Sequence, residues 1–190
     1  MSSPDAEVER WSALRVWLFS LLNRDPKSNR AAVDRAALRP GERFIDLGCG
    51  LGAALEYAAA TGAEITGIDP SPAMVERAAR RVPRAQVTVG SAEEIPFVDD
   101  RFDAALAVAT YHHWADPDAG LAETRRVLAP GGRLLVVERH LRRSRGHGID
   151  AAGADALAEA MSRHGFAATT IDPVKVGRTR YLVVTGVAPD

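Results

Sequence analysis

The stretch RFIDLGCGLGAALEYAAATGAEITGIDPSP, from Arg43 to Pro72, decides the predicted fold of this chain. An apolar run is followed by glycines at positions 48, 50 and 52, and a second apolar run ends at Asp69. A strand, a glycine turn and a helix in this order place backbone N–H groups where a polar or anionic ligand group can approach. Glycine permits both a close approach and a positive φ. Taken alone, these glycines are weak evidence for a ligand, because many tight turns need glycine.

Asp69 favours the interpretation with a ligand. It ends the strand that neighbours the first one in a doubly wound sheet, where a carboxylate can accept hydrogen bonds from both hydroxyls of a ribose. Asp69 also opens the turn and helix of DPSP, and this structural role is compatible with the first. The glycines and the acidic strand end together indicate a cofactor that contains adenosine.

Strand-like and helix-like segments alternate along the middle of the chain. The predicted strands cover residues 43–47, 64–68, 85–89, 102–108 and 134–138, and the helices between them cover 53–60, 71–81 and 118–128. A turn, APGGR, leads into the fifth strand. Such alternation predicts a parallel sheet with right-handed crossovers and helices on both faces.

The end of the chain departs from this alternation. After a predicted helix over 154–164, the runs FAATTIDPV and RYLVVTGV are joined by the short turn KVGRT, so they should pair antiparallel. The predicted fold class is therefore α/β: a Rossmann-like, doubly wound, seven-stranded sheet, mostly parallel, with a C-terminal antiparallel hairpin.

The length of 190 residues, with no long linker, predicts a single domain over 1–190. Within it, 41–138 would be the cofactor-binding core and 139–190 the last helix and the hairpin. Residues 1–40 hold two predicted helices, 6–22 and 25–38, which form a candidate lid. The aromatic side chains of that lid would be Trp11, Trp17 and Phe19.

Composition excludes several other classes of protein. The formal net charge of −1 gives no general reason to expect nucleic acid or an anionic membrane as a partner. The single cysteine, Cys49, cannot form an internal disulfide, and the apolar run over 16–22 is too short to span a bilayer. We therefore expect a cytoplasmic protein without a signal peptide. Its oligomeric state is left open.

Four segments carry a resemblance to a known family: FIDLGCGLG, ITGIDPSPAMVERA, GSAEEIPFVDDRFDAALAVATYHHW and RVLAPGGRLLVVE. In order and spacing they resemble the motifs of class I S-adenosylmethionine-dependent methyltransferases, most closely the small-molecule branch often called type 11. A dinucleotide-binding fingerprint would place the third glycine one residue later. The resemblance implies methyl transfer from S-adenosyl-L-methionine to a small-molecule acceptor, mainly by proximity and orientation, with S-adenosyl-L-homocysteine as the product.

The resemblance also implies a role for individual residues. The methionine end of the cofactor would be bordered by Asp46, Gly48 and Gly50, with Cys49 and Leu51 contributing mainly their backbone. Asp69 would bind the ribose hydroxyls, and Pro70 and Met74 would pack near the adenine ring. Ser91 stands where the family usually has Asp, so either this contact is weaker or Glu93 replaces it. The Ala92 N–H would point at the ring, and a carbonyl near Ala107 would meet the ammonium group.

The segment TYHHWADPD lies beside the predicted methyl group, because it follows the fourth strand at the switch point. His112, His113 and Tyr111 are the candidate catalytic bases by position, with the histidines favoured by their pKa. Both histidines could instead shape the pocket or cap the following helix. No further ligand cluster is apparent that would turn them into a metal site, and no metal is expected. The arginines of RHLRRSRGHG could receive an anionic substrate or form a solvated loop.

Two other functions are weighed against methyl transfer. A nicotinamide-dependent oxidoreductase is disfavoured by the early third glycine and by the antiparallel hairpin. A cofactor-binding scaffold without turnover stays open, because a fold can persist without its chemistry.

Overall fold

A computed structural model of the chain describes residues 27–143 and 146–190. The helix expected over 6–22 and the aromatic side chains of the candidate lid lie outside the described residues. Among the described helices, none combines the length and the apolar composition that a membrane crossing would need.

The described elements follow the predicted alternation. The helices are α1 (Lys27–Ala36), α2 (Ala53–Ala59), α3 (Pro72–Arg81), α4 (Pro117–Val127) and α5 (Ala151–Arg163). The strands are β1 (Arg43–Leu47), β2 (Glu64–Asp69), β3 (Gln86–Val89), β4 (Phe102–Val108), β5 (Leu128–Arg139), β6 (Ala167–Val176) and β7 (Thr179–Val187). A short 3-10 turn, Tyr111–His113, follows β4.

The seven strands form one sheet in the order β3-β2-β1-β4-β5-β7-β6. The pairs β1–β2, β1–β4, β2–β3 and β4–β5 are parallel, whereas β7 runs antiparallel to both β5 and β6. The predicted fold class is thus confirmed, including the C-terminal hairpin. The chain order reverses between β1 and β4, so the switch point lies there.

Helices cover both faces of the sheet. Successive residues of a strand point to opposite sides, so a strand of consecutive apolar residues contributes to a core on each face. In β4, Ala104 and Leu106 pack in one core with residues of α1, α2 and α3. Ala105 and Ala107 of the same strand belong to the other core, with residues of α4 and α5. An apolar residue at nearly every position of the central strands is what two covered faces require.

Two predicted boundaries were wrong. Helix α5 begins at Ala151 rather than at 154, because the Asp150 side chain accepts a hydrogen bond from the Gly153 N–H and caps the helix. The turn APGGR does not precede β5 but interrupts it: Leu128 pairs with Phe102, residues 129–132 bulge out, and pairing resumes at Arg133.

Gly67 of β2 lets the neighbouring loop and helix reach the sheet. A Cβ at this position would lie 2.8 Å from Leu55 Cδ1 and 3.0 Å from Cys49 Sγ. The glycine loop and the start of α2 therefore pack on β2 at a distance that only glycine permits.

We predict that Gly67→Ala lowers the free energy of unfolding by about 1–3 kcal/mol, because the added methyl group overpacks the contact with Leu55 and Cys49. Urea denaturation would measure the change. Gly153→Ala in the first turn of α5 is the matched control: its nearest neighbour would lie at 3.3 Å, and we expect a change below about 1 kcal/mol. An unchanged midpoint for Gly67→Ala would show that the neighbours move aside without cost.

Candidate functional site

The carboxyl ends of β1, β2 and β4 meet at one edge of the sheet, and the glycine loop folds across it. The loop begins with two backbone hydrogen bonds, in which the N–H groups of Gly48 and Cys49 both donate to the Ile68 carbonyl, at 2.9 and 2.8 Å. These bonds extend the β1–β2 pairing and bring the loop against β2. The structure thus brings the glycine loop to the strand edge at which the site is predicted.

The three loop glycines are required for three different reasons. A Cβ on Gly48 would lie 2.2 Å from Thr110 Oγ1, and one on Gly52 would lie 3.2 Å from the Ala78 backbone of α3. A Cβ on Gly50 would meet nothing within 4 Å, although its φ of 52° still favours glycine. Two of the glycines therefore accommodate the protein itself, and only Gly50 faces open space.

Asp69 is fixed by two backbone N–H groups. Its Oδ2 accepts from Gly50 N and its Oδ1 accepts from Ser71 N, both at 2.9 Å. The side chain is buried, and burial raises the pKa of Asp69 while the two hydrogen bonds oppose the shift. Each carboxylate oxygen keeps a further lone pair that can accept from a ligand hydroxyl.

Asp46 is a second buried carboxyl group at the same edge. Burial, with a smaller contribution from the nearby Asp69 charge, raises the pKa of Asp46 to about 7. The Cys49 thiol is also buried, and burial together with the charges of Asp46 and Asp69 raises its pKa as well. A positively charged ligand group at this edge would favour the ionised form of both carboxyl groups.

Ser71, which donates its backbone N–H to Asp69, also carries a buried hydroxyl. This hydroxyl has no hydrogen-bond partner among the described residues. A buried hydroxyl without a partner costs free energy unless a ligand supplies one. Together with the open space at Gly50, this arrangement fits a ligand that carries hydroxyl groups and a positive charge.

The residues expected to surround an adenine ring follow β2 and β3. Asp69 pairs with Val89, and the Gly90 N–H donates to the Asp69 carbonyl at 3.2 Å, so the two segments are adjacent. They contribute Pro70, Met74, Ser91, Ala92 and Glu93, of which Met74 and Ala92 are buried.

Glu93 has another role in the structure. Its Oε1 accepts hydrogen bonds from Ala115 N at 2.8 Å and from Asp116 N at 3.4 Å, which ties it to the loop before α4. One carboxylate oxygen is therefore engaged by the protein. Glu93 is therefore less suited to replace the Asp that the family usually has near the adenine ring. Ser91 is the better candidate for that contact.

The switch point opens beside Ala107. Pairing between β1 and β4 ends at Asp46↔Leu106, whereas pairing between β4 and β5 continues to Val108↔Val137. The side of Ala107 that faces β1 thus lies beyond the last β1–β4 pair, at the crevice. This position is compatible with the expected carbonyl contact.

His112 is held by a residue that sequence reasoning missed. Its Nδ1 lies 2.8 Å from Oε2 of Glu138, a fully buried carboxylate near the end of β5. The backbone N–H of His112 also donates to Oε1 of the same carboxylate, at 3.4 Å. The sequence offered one signal for this contact: Glu138 is an acidic residue at the end of the apolar run LLVVE.

A third histidine joins His112 and His113. His112 Nε2 lies 3.2 Å from Nδ1 of His147, which comes from the loop after β5. The sequence indicated no further candidate metal ligand beside His112 and His113, whereas the structure brings the ring of His147 next to them. The spacing of residues along the chain could not have predicted this contact, since His147 follows His112 by 35 residues.

The loop after β5 is closed at its base. Leu141 N donates to the Ile149 carbonyl at 2.8 Å, and Ile149 N donates to the Arg139 carbonyl at 3.0 Å. Arg142 and Arg143 are exposed within it. Their expected contact with an anionic substrate stays a prediction.

Comparisons with known proteins show which family this chain resembles. A family model described as a methyltransferase domain matches residues 45–136. An uncharacterised methyltransferase of Synechocystis is 31% identical over 140 residues, which are 68% of this chain and 66% of that protein. A demethylmenaquinone methyltransferase of Beutenbergia cavernae is 38% identical over 117 residues, which are 62% of this chain and 49% of that protein.

This chain spans between about a third and two thirds of the length of the curated relatives it matches. Among solved structures, a complex of the Haloferax volcanii Trm112 methyltransferase activator with a methyltransferase aligns with a TM-score of 0.80 and 22% identity, over 93% of this chain and 94% of that one. A Haemonchus contortus phosphoethanolamine N-methyltransferase bound to S-adenosylhomocysteine aligns with a TM-score of 0.78 and 17% identity, over 94% and 58%. These two likenesses show the fold.

We predict that the free energy of unfolding falls as the pH rises from about 5 to 7. The Asp46 carboxyl keeps its proton up to about pH 7 in the folded state but loses it near about pH 3.9 when unfolded. Between these values the folded state binds more protons, so stability decreases by up to about 1.4 kcal/mol per pH unit. Urea denaturation at several pH values would measure this slope.

Asp46→Asn should flatten the slope, whereas Asp34→Asn on the exposed side of α1 should leave it in place. Asp69, whose pKa is also raised by burial, adds to the slope in the same direction. The carboxyl groups with lowered pKa values, Glu42, Asp103, Asp118 and Glu123, change stability in the opposite direction, but below about pH 4.5. The same slope in the wild type and in Asp46→Asn would contradict the assignment.

Proposed function

The chain belongs to the class I S-adenosylmethionine-dependent methyltransferases, in their type 11-like branch, and we propose that it methylates a small-molecule acceptor. Two similar proteins, a demethylmenaquinone methyltransferase and a phosphoethanolamine N-methyltransferase, are named for small-molecule acceptors. The near-neutral net charge of −1 gives no general reason for a nucleic-acid acceptor. The cytoplasm stays the proposed compartment, because one cysteine makes the fold independent of disulfides.

One observation carries the proposal: two buried carboxyl groups, Asp46 and Asp69, lie at the strand edge where Gly50 faces open space. S-adenosylmethionine presents ribose hydroxyls and cationic groups, which these carboxylates can bind as acceptors and as counter-charges. The buried Ser71 hydroxyl, which has no hydrogen-bond partner among the described residues, is one more polar group that the cofactor could bind. Burial of the carboxyl groups makes each of these contacts stronger than it would be in water.

The roles of the individual residues follow from their positions. We assign the ribose hydroxyls to Asp69, whose orientation is set by Gly50 and Ser71. The methionine end is assigned to Asp46, Gly48, Cys49 and Gly50 in the loop after β1, with a backbone carbonyl near Ala107. The adenine ring is assigned to the pocket after β2 and β3, formed by Pro70, Met74, Ser91 and Ala92.

The cofactor supplies a methyl group on a sulfonium, whose leaving group is neutral. The protein therefore contributes mainly by holding acceptor and donor close and aligned. His112 and His113 follow β4 at the switch point, so we place them at the acceptor end of the site. There they shape the pocket, and the buried Glu138 sets the orientation of His112.

Two alternatives are separated by ligand binding. A nicotinamide-dependent oxidoreductase would need the third glycine one residue later, whereas Gly52 stands at the N-cap of α2 and packs against Ala78. A scaffold without turnover would bind S-adenosylmethionine but release no methylated product. A metabolite screen with labelled methyl donor separates scaffold from enzyme and identifies the acceptor.

We predict that S-adenosylhomocysteine raises the melting temperature of the wild type, whereas NAD and NADP do not, because only a ligand of the folded state stabilises it. A shift with NAD and none with S-adenosylhomocysteine would overturn the proposed function.

We also predict that Asp69→Ala binds S-adenosylhomocysteine more weakly, because it removes two charge-assisted hydrogen bonds to the ribose. Calorimetry should show an affinity about tenfold to a hundredfold lower. Asp34→Ala is the control for the loss of an exposed carboxylate.

A further prediction concerns the acceptor end. Once an acceptor is known, His112→Ala and His113→Ala should mainly raise KM, with kcat reduced less than about tenfold, because the chemical step depends on alignment. Steady-state kinetics of the folded variants would separate the two constants. A fall in kcat of about 10²–10⁴-fold with unchanged cofactor affinity would instead identify a general base.

A further inference from the structure

We propose that His112, His113 and His147 form a binding site for a divalent transition-metal ion, with Zn²⁺ as the best match. The three side chains offer one ring nitrogen each, and these nitrogens all lie within 4.8 Å of one another. The inference goes beyond methyl transfer and does not depend on it, because metal binding can be measured without cofactor or acceptor.

The distances suit a tetrahedral ion. Zn–N bonds of about 2.0–2.1 Å separate two ligand nitrogens by about 3.3–3.4 Å in tetrahedral geometry. His112 Nε2 and His147 Nδ1 are already 3.2 Å apart. The ring centroid of His113 lies 4.0 Å from that of His112 and 5.4 Å from that of His147. His113 is exposed, and its ring nitrogen lies within 4.8 Å of those of the other two histidines.

Glu138 is a second, independent indication of a metal ligand. A ligating imidazole usually donates its other N–H to a carboxylate, which fixes its tautomer and makes its free nitrogen more basic. Glu138 is fully buried, and its Oε2 lies 2.8 Å from His112 Nδ1. This contact turns Nε2 of His112, and its lone pair, towards His147.

The chemistry of the ligands selects among metals. Imidazole nitrogens suit Zn²⁺ and related transition metals, whereas Mg²⁺ and Ca²⁺ require oxygen ligands, of which the three side chains offer none. His113 and His147 are exposed, so an ion can enter from solvent. Three protein ligands leave a fourth position open for water or another ligand. The cluster itself follows β4 and β5, on the side of the switch point that we assign to the acceptor.

The same atoms permit a simpler arrangement, a hydrogen-bonded chain from Glu138 through His112 to His147. The ring of His113 packs beside both of the other imidazoles. The two arrangements differ in an observable way, because only a metal site makes saturable binding depend on all three histidines.

The test uses the full chain without an affinity tag, dialysed against chelator and then titrated with ZnCl₂ in a calorimeter. We expect one equivalent of Zn²⁺ per chain, and Co²⁺ should develop the visible absorption of a tetrahedral site. His113→Ala and His147→Ala, both at exposed positions, should each weaken binding by more than about tenfold. Glu138→Gln should weaken it by about 10–100-fold through the orientation of His112.

His140→Ala is the matched control, because His140 lies in the same loop but outside the cluster. It should bind Zn²⁺ as the wild type does. The proposal is overturned if the wild type binds no stoichiometric Zn²⁺, which would leave the hydrogen-bonded chain, or if His147→Ala binds as tightly as the wild type. If Glu138→Gln fails to fold, the two exposed variants still decide the outcome.

Discussion

Two hydrogen bonds to one buried carboxylate hold the candidate cofactor site together. Asp69 accepts from Gly50 with one oxygen and from Ser71 with the other, so it joins the loop after β1 to the turn after β2. Helices α2 and α3 begin directly after these two segments, and they approach closely where Gly52 meets Ala78. Together with the backbone hydrogen bonds of Gly48 and Cys49 to Ile68, this side chain fixes the geometry of the glycine loop at the candidate cofactor edge of the sheet.

The site is built around an unfavourable charge. Asp46 and Asp69 are both buried at the same edge, and no positive side chain of the described residues pairs with either of them. Burial of unpaired carboxyl groups costs stability in the free protein and is offset when a cationic ligand enters. This opposition between stability and binding is typical of functional sites and distinguishes these residues from the paired carboxylates elsewhere on the surface.

The two sides of the switch point have different chemistry. The strands β1, β2 and β3 supply carboxylates and a glycine loop, which we assign to the cofactor. On the other side, β4 and β5 bring a buried acid, Glu138, against His112, and the loop after β5 adds His147. The parallel pairing of β4 with β5 sets this second constellation, because it places both strand ends at one edge of the sheet.

The sequence by itself determined the order of strands and helices, the antiparallel hairpin and the position of Asp69, because hydrophobic periodicity and turn residues act locally. It did not determine that Gly48 accommodates Thr110, that Glu93 holds the loop before α4, or that Glu138 meets His112. The last contact joins residues 26 positions apart, and it depends on strand register and on the path of a loop. Only the tertiary structure decides such contacts, since local patterns report burial but not which side chains meet.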